Sequence, residues 1–168
     1  MMAELTANKN YLQPTGFRIV LSRKNYPNLV YFAQGVTHPG ANVNPIELAT
    51  RRVTSVPLAG EKISYSELSV EFICDEDMMS YKEMQNWLER MVNEGQVSES
   101  QSLHSGKTPT YSDITVHILS SHNNKNVEIR YKDCIPTTIG SIELSANASD
   151  VQYVTFNAGF RFSSFEIV

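Results

Sequence analysis

Histidine, cysteine and acidic side chains are the residues of this sequence that could bind a metal ion or activate a nucleophile. The cysteines, Cys74 and Cys134, lie far apart and form no Cys-x-x-Cys pair, so we predict two reduced thiols in or near the core. His117 is expected to face solvent from a strand, and His122 lies in a turn. Neither has a partner at ligand spacing, and we predict no metal site. The remaining histidines are His38 and His104.

Three carboxylates stand together in the segment CDED, residues 74–77, between a predicted strand and a predicted helix. The segment lacks the alternating acids and the glycine of a calcium loop. Acidic side chains are favoured just ahead of a helix N-terminus, and we interpret the segment in that way.

Catalytic motifs are missing from the sequence, which contains no nucleophile elbow, Walker loop or dinucleotide-binding glycine pattern. We therefore predict no catalytic residue, no cofactor and no enzymatic activity. The alternative is a site that the fold assembles from the histidines and the CDED acids, and metal analysis of the purified protein tests it.

Composition and charge argue against a nucleic-acid-binding protein and against a membrane-spanning one. The chain has 168 residues, 41% hydrophobic and 19% charged, with a formal net charge of -4, which fits one globular domain. Basic residues occur at most in pairs, as at 23–24 and 51–52, so no phosphate-binding patch is predicted. No apolar run approaches the ~18 residues that span a membrane. No secretory signal is recognised at the N-terminus, and we expect synthesis in a reducing compartment.

The first half of the chain is predicted to begin with a hairpin. Alternation predicts a strand over residues 17–22, NYPN supplies a turn, and LVYFAQG, residues 29–35, is predicted as the return strand. The segment that follows is rich in Pro, Gly and Asn and is expected to hold a short strand pair.

A strand, an acidic turn and a helix follow over residues 64–96. Residues 68–73 alternate as a strand with one buried face. Ser80 and Glu83 have the spacing of a capping box, which predicts a helix over about residues 80–94. One apolar stripe, with Trp87 as its largest anchor, should pack on a sheet. Its members are Met84, Trp87, Leu88, Met91 and Val92.

The second half of the chain is predicted to be strands and turns. Strands are expected at 114–118 and 127–131, a turn at KDCIPTTIG (residues 132–140), a strand at 142–146 and a long last strand at 153–162. The fold class is therefore mainly β, an antiparallel sandwich or barrel with one flanking helix. The last strand has a single charge, Arg161, and no proline, which leaves it unguarded if it forms an edge. An oligomer in which neighbours complete the sheet would remove that problem.

Two segments of the chain resemble tail tube proteins of T-even-type contractile-tailed bacteriophages. The first is AGEKISYSELSVEFICDEDMMSYKEMQNWLERM, with an alternating strand, an acidic turn and a helix with a tryptophan anchor. The second is YKDCIPTTIGSIELSANASDVQYVTFNAGFRF, in which Pro136, Thr137, Ile139 and Gly140 fit the family's closing turn. The likeness covers residues 16–163, and baseplate tube-initiators and type VI secretion tube proteins share the fold.

The resemblance implies an N-terminal arm (1–15), a tube domain (16–163) with an extended loop (37–64), and a C-terminal tail (164–168). It implies rings of six copies whose inner sheets join into one β-barrel, and rings that stack into a tube. The implied partners are further copies, the sheath, baseplate initiators, and the tape-measure protein and DNA that pass through the lumen without specific binding. The implied location is the virion tail, assembled in the host cytoplasm.

The resemblance also suggests which residues make the contacts. The extended loop is expected to touch neighbouring subunits and the next ring through Pro39, Gly40, Arg51, Arg52 and Pro57, helped by the arm and the C-terminal SSFEIV. A negative lumen or an ion pair between rings is expected to use Glu61, Glu67 and Glu71. The alternative role is a baseplate adaptor that forms a single ring and nucleates or caps the tube.

Overall fold

The computed structural model describes residues 11–48, 55–93, 109–145 and 153–168, and these contain eleven strands and two helices. In chain order they are β1 (Phe17–Val20), α1 (Pro27–Phe32), β2 (Ala33–Thr37), β3 (Ala41–Val43), β4 (Ile46–Leu48), β5 (Val56–Leu58), β6 (Ile63–Tyr65), β7 (Leu68–Ile73), α2 (Met79–Asn93), β8 (Ser112–Leu119), β9 (Lys125–Ile139), β10 (Thr155–Arg161) and β11 (Ser164–Ile167). The mainly-β, antiparallel fold class is confirmed, with a second, short helix in addition to the predicted one. No helix among these residues is long and apolar enough to cross a membrane.

Seven strands form one antiparallel sheet in the order β1-β8-β9-β10-β7-β2, and β11 adds to β9. β10 is therefore a central strand between β9 and β7, so the last long strand does not form an edge of this sheet. The terminal strands of the order are β1 and β2. The residues that the sequence placed in a C-terminal tail form β11.

β9 is a single strand of 15 residues that belongs to both halves of this sheet. Its first part pairs with β8 and β11, and its second part, residues 135–139, pairs with β10. The change of partner follows Asp133, whose φ of 53° bends the chain. The predicted turn at 132–140 is wrong, because residues 132–139 belong to β9. Pro136 is tolerated within the strand because residues 135–139 have a strand partner on one side only. The predicted strand at 142–146 is not formed by residues 142–145, and residue 146 lies outside the described residues.

The predicted return strand at 29–35 is wrong for residues 29–32, because Pro27–Phe32 form α1, and right for residues 33–35, which begin β2. Pro27 occupies the start of the helix, a position that suits its fixed φ. The carboxylate of Glu83 on α2 then accepts the backbone N–H groups of Asn28 at 3.2 Å and of Leu29 at 3.1 Å. β2 leaves the end of α1 and pairs with β7 instead of β1.

The predicted capping box is replaced by a different cap. Asp75 accepts the backbone N–H of Met79 at 3.1 Å and of Ser80 at 2.9 Å, and the hydroxyl of Ser80 donates to Asp75 at 2.8 Å. Burial alone would raise the pKa of Asp75, but these hydrogen bonds from Ser80 and Met79 outweigh it and lower the pKa. The interpretation of CDED as a helix-start signal is confirmed, with Asp75 as the capping residue.

The core lies between the inner face of the sheet and α2. Trp87 is fully buried, stacks on Tyr26 with ring centroids 4.4 Å apart, and donates its indole N–H to the carbonyl of Thr110 at 2.6 Å. The predicted anchor role of Trp87 is confirmed. Val92, predicted in the same stripe, is 70% exposed, whereas its neighbour Met91 packs against the core.

Candidate assembly surfaces

Four short strands between β2 and β7, described over residues 41–48 and 55–65, pair with one another apart from the main sheet, and we call them the extended hairpin. β3 pairs with β6 and β4 pairs with β5, so the expected short strand pair is present as two successive ladders. All of their side chains are exposed. The apolar ones among them, between 36% and 59% exposed, are Val43, Ile46, Leu48, Val56, Leu58, Ile63 and Tyr65. Contiguous exposed apolar surface of this kind marks an interaction site, and an isolated two-stranded ribbon is marginally stable alone.

The base of the extended hairpin is fixed to the domain by hydrogen bonds and aromatic rings. Gly40 and Ser66 face each other across the two chains, and Ser66 N–H donates to the Gly40 carbonyl at 3.0 Å. His38 shares a hydrogen bond of 2.5 Å with the hydroxyl of Tyr131, a fully buried residue. Tyr65 contacts Phe165 of β11, with ring centroids 5.3 Å apart. The root of the hairpin is thereby held while its length remains free to contact other molecules.

The predicted contact residues fall on different parts of this hairpin. Pro39 is buried at its root, and Gly40 is exposed beside it. Pro57 is exposed on β5 opposite Glu47. Arg51 and Arg52 lie outside the described residues, in the connection between β4 and β5.

A second surface is the solvent face of the sheet formed by β2, β7, β10 and the second part of β9. Glu71 lies opposite Asn157 on β10, and its side chain covers Gly35 on β2, where a Cβ would come within 3.1 Å of the carboxylate. Glu67 likewise covers Gly159, where a Cβ would lie 2.7 Å from its carboxylate. The structure thus places Glu67 and Glu71 on one face, and two glycines leave room for them.

Glu61 does not join that face, since it is exposed in the turn that leads into β6. Sequence reasoning named the three glutamates together because strand alternation does not show which strands become neighbours. Glu61 lies on the extended hairpin, whereas Glu67 and Glu71 lie on the face of the sheet in which β7 pairs with β2 and β10.

A third surface, on β8, β9 and β11, carries ion pairs. Glu128 is 7% exposed and bonds Arg130 at 2.5 Å and also Lys125. These hydrogen bonds, that of Arg130 foremost, lower the pKa of Glu128 to about 2. His117 lies 3.9 Å from the same carboxylate. Lys125, Glu128 and Arg130 lie within six residues of β9, so their spacing was available in the sequence, and only His117 is added by the register of β8 with β9.

The residues considered for metal chemistry are not brought together. Within the described ranges, no three His, Cys, Asp or Glu side chains are placed to hold a metal ion, and His104 lies outside those ranges. Cys74 and Cys134 are both free thiols, and burial raises the pKa of Cys134 to about 12. A thiol with that pKa is not a nucleophile at neutral pH.

A comparison with known protein families identifies the family of the chain. A family model described as phage tail tube protein matches residues 3–168. The chain belongs to the phage tail tube protein family. The resemblance found in the sequence is confirmed, and a tail tube protein is a structural component of the virion tail.

Solved structures with the same fold come from contractile injection systems. One is the anti-feeding prophage cap, which terminates the tube: TM-score 0.65, 12% identity, 98% of this chain and 95% of that chain covered. A second is the sheath-tube complex of an extracellular contractile injection system, PVC, in the extended state: TM-score 0.64, 10% identity, 95% and 93% covered. A third is the anti-feeding prophage baseplate: TM-score 0.61, 11% identity, 99% and 97% covered. No curated protein matches the sequence.

Proposed function

We propose that this tail tube protein is the repeating subunit of the tube, in which six copies close into a ring and rings stack into a hollow conduit for DNA delivery. The observation that supports ring closure is a four-stranded sheet with a free edge on each side. Its strands are β9 (residues 135–139), β10, β7 and β2. Among the described residues, β7 is the only partner of β2, and β10 is the only partner of residues 135–139.

The directions of the two edge strands, β2 and β9, allow them to pair between copies. All three pairings in the four-stranded sheet are antiparallel, so β2 and β9 run in opposite directions. β2 of one copy can therefore join residues 135–139 of the next copy in an antiparallel ladder, and closure leaves no strand edge exposed. Four strands from each of six copies give 24 strands. Barrels of about 16–18 strands already enclose an aqueous channel, so a ring of this size is open at its centre.

The face with Glu67 and Glu71 is the one we assign to the channel, because the opposite face of the same strands is buried in the core. Its charged residues, Glu67, Glu71 and Arg161, sum to one negative charge. A wall rich in Lys and Arg would hold DNA through counterion release. A weakly acidic wall lets DNA and the tape-measure protein pass without specific binding.

The extended hairpin is the element that we assign to contacts between subunits and between rings. Its exposed apolar side chains need a partner, and further copies of the chain are the partner that a tube supplies. We retain Gly40, Arg51, Arg52 and Pro57 as contact residues, with the buried Pro39 fixing the root of the hairpin, Glu61 as a candidate for an ion pair between rings, and the N-terminal arm and SSFEIV as further contacts. Sheath subunits lie outside the tube and baseplate initiators at its end, after assembly in the host cytoplasm.

A second candidate role is a baseplate adaptor or tube initiator that forms a single ring. The likeness to the anti-feeding prophage baseplate favours it, since that structure shares this fold over 99% of the chain. The two roles differ in whether rings of the purified protein stack on one another.

Negative-stain electron microscopy across a range of protein concentrations tests both roles. Long hollow tubes of uniform width establish the repeating subunit, and isolated rings at every concentration favour the adaptor. Particles of monomer size at the highest concentration contradict both.

The proline variant Gln34→Pro tests the edge on which ring closure depends. Gln34 is exposed at a register shift of β2 and has no Cα partner on β7, so proline there disturbs the existing ladder little. It removes a backbone donor and blocks pairing along the free edge. We expect folded monomers without rings, while the matched variant Gln34→Ala forms rings as the unmodified protein does. Normal rings from Gln34→Pro would refute the β2 edge as the closing strand.

A further inference from the structure

We propose that each copy in a ring places the segment that follows β9, residues 140–145, in a groove of the next copy that lies between β1 and α1. The inference rests on the proposed closure of rings through β2 and β9, and it names a second contact between the same two copies. The occupant of the groove is therefore another copy of this chain.

The groove lies where the two ends of the main sheet approach each other. β1 and β2 are the terminal strands of the sheet order and do not pair with each other. Residues of both strands, together with residues of α1 and of the turn before it, line one groove of about 650 Å³. The apolar side chains among them include Phe17, Val30 and Ala33, each only partly buried in the single chain. The unpaired strands thus leave apolar surface open to a partner.

Ring closure would bring the 140–145 segment of one copy to the groove of the next. In an antiparallel ladder between β2 and the second part of β9, the start of β2 lies beside the end of β9. Ala33 and Gln34, at the start of β2, also line the groove. The chain that continues beyond Ile139 therefore passes the start of β2 and runs alongside α1. The stretch from Ile139 to Leu144 can span up to about 18 Å, more than the ~9 Å length of the six-residue α1.

One half of the 140–145 segment is fixed to its own domain, and the other half is exposed. Gly140 donates its N–H to the carbonyl of Asn157 at 2.6 Å, and Ile142 packs against the core. Ile19 of β1 belongs to the same core cluster, so the segment and the groove lie on the same side of the four-stranded sheet, away from the channel face. The exposed half consists of Glu143 and Leu144.

Charge complementarity favours this segment as the occupant of the groove. Arg18 and Arg23 line the groove and are exposed, and Glu143 is exposed beside Leu144, which is itself 83% exposed. Within the part of the chain that the structure describes, none of these three charged residues forms an ion pair. An apolar groove with two arginines at its rim is complementary to a leucine that follows a glutamate.

A substitution of Leu144 tests the apolar part of the contact. Leu144→Ser changes a side chain that is exposed in the single chain, so the fold should be retained, and circular dichroism verifies this. We expect rings of Leu144→Ser to need about tenfold more protein than rings of the unmodified protein, as measured by size-exclusion chromatography with light scattering. Val92→Ser is the matched control, because Val92 is an exposed apolar residue on α2 that does not line the groove. Equal ring formation by the two variants would overturn the contact and leave closure through β2 standing.

Two charge variants test whether the groove receives the segment. Glu143→Arg reverses the charge of the segment, and Arg18→Glu with Arg23→Glu reverses the charge of the groove. Either chain alone places like charges in every contact, so each should need about tenfold more protein to form rings at low ionic strength. In an equal mixture, alternation of the two chains around a ring of six places opposite charges in every contact. Mixed rings should therefore form at the concentration that the unmodified protein requires, and native mass spectrometry should find three copies of each chain.

The remaining outcomes separate this contact from the closure on which it rests. A mixture that forms no more rings than either charge variant alone would overturn the pairing of Glu143 with the two arginines, and with it the inference. Loss of tubes from Leu144→Ser with rings unaffected would assign the segment to contacts between rings and would also overturn it. An unmodified protein that forms no rings, or normal rings from Gln34→Pro, would instead overturn the proposed closure itself.

Discussion

Glu83 connects the two helices, and its removal should destabilise the fold by a predictable amount. Its carboxylate on α2 accepts the backbone N–H groups of Asn28 and Leu29 at 3.2 and 3.1 Å and the side-chain amide of Asn28 at 2.6 Å. Leu29 is fully buried, so water does not readily replace the lost acceptor in Glu83→Ala. Loss of a helix cap costs ~0.5–2 kcal/mol, and a hydrogen bond to a charged group contributes ~1.5–3 kcal/mol. Because the bonds share one carboxylate, we expect a combined loss of about 2–3 kcal/mol in the free energy of unfolding.

Urea and thermal denaturation, followed by circular dichroism on the monomer at low protein concentration, measure this loss. For a domain of this size 1 kcal/mol corresponds to ~2–4 °C, so the Tm of Glu83→Ala should fall by about 4–12 °C. Glu89→Ala is the matched control, because Glu89 is exposed on the same helix and accepts one hydrogen bond, from Gln85 at 2.8 Å. A pair of that type contributes ~0.2–0.5 kcal/mol. A Glu83→Ala variant no less stable than Glu89→Ala would show that α1 does not depend on this cap.

Two further predictions concern acid stability and a close approach in the sheet. Because the pKa of Glu128 is lowered to about 2 in the folded protein, its ion pairs stabilise the fold above the unfolded-state pKa of ~4.3, and this stability is lost as the pH falls toward about 2. Glu128→Gln should therefore flatten the acid side of a Tm-against-pH curve. An acid limb as steep as in the unmodified protein would contradict the pairing with Arg130. Gly159→Ala should cost ~1–3 kcal/mol, because its Cβ would lie 2.4 Å from the Thr138 hydroxyl, whereas Gly35→Ala, with a nearest distance of 3.1 Å, should cost less. The reverse order in urea denaturation would refute this account.

The local pattern of apolar residues was sufficient to predict the elements that bury one face and expose the other. β7 alternates in residues 68–73, α2 has Met84 and Trp87 on one stripe, and β10 alternates from Phe156 to Phe160, and each was predicted with nearly its observed bounds. In these elements burial on one face imposes a period that the sequence records directly.

The elements that were missed depend on contacts distant in the chain. α1 was predicted as a strand because its stabilising acceptor, Glu83, lies 55 residues from Asn28 and is invisible to a local pattern. The second part of β9 was predicted as a turn because Pro136 and Gly140 are typical of turns. The pairing of residues 135–139 with β10 overrode that local preference.

The candidate assembly surfaces were only partly visible in the sequence. The loop 37–64 could be named as a contact element, but its two ladders and its row of exposed apolar residues follow from strand register. Leu144 was assigned to a strand that does not form.

The passage of β9 through both halves of the sheet has a mechanical consequence. Sheets that meet only through side-chain packing can slide past one another when a load pulls them in opposite directions. Here a single covalent backbone runs from Lys125, held by β8 and β11, to Ile139, held by β10. Shear between the two halves of the sheet must therefore stretch peptide bonds or break backbone ladders. The two halves of the main sheet are therefore coupled through one strand, and a load applied to β8 and β11 is transmitted along β9 to β10.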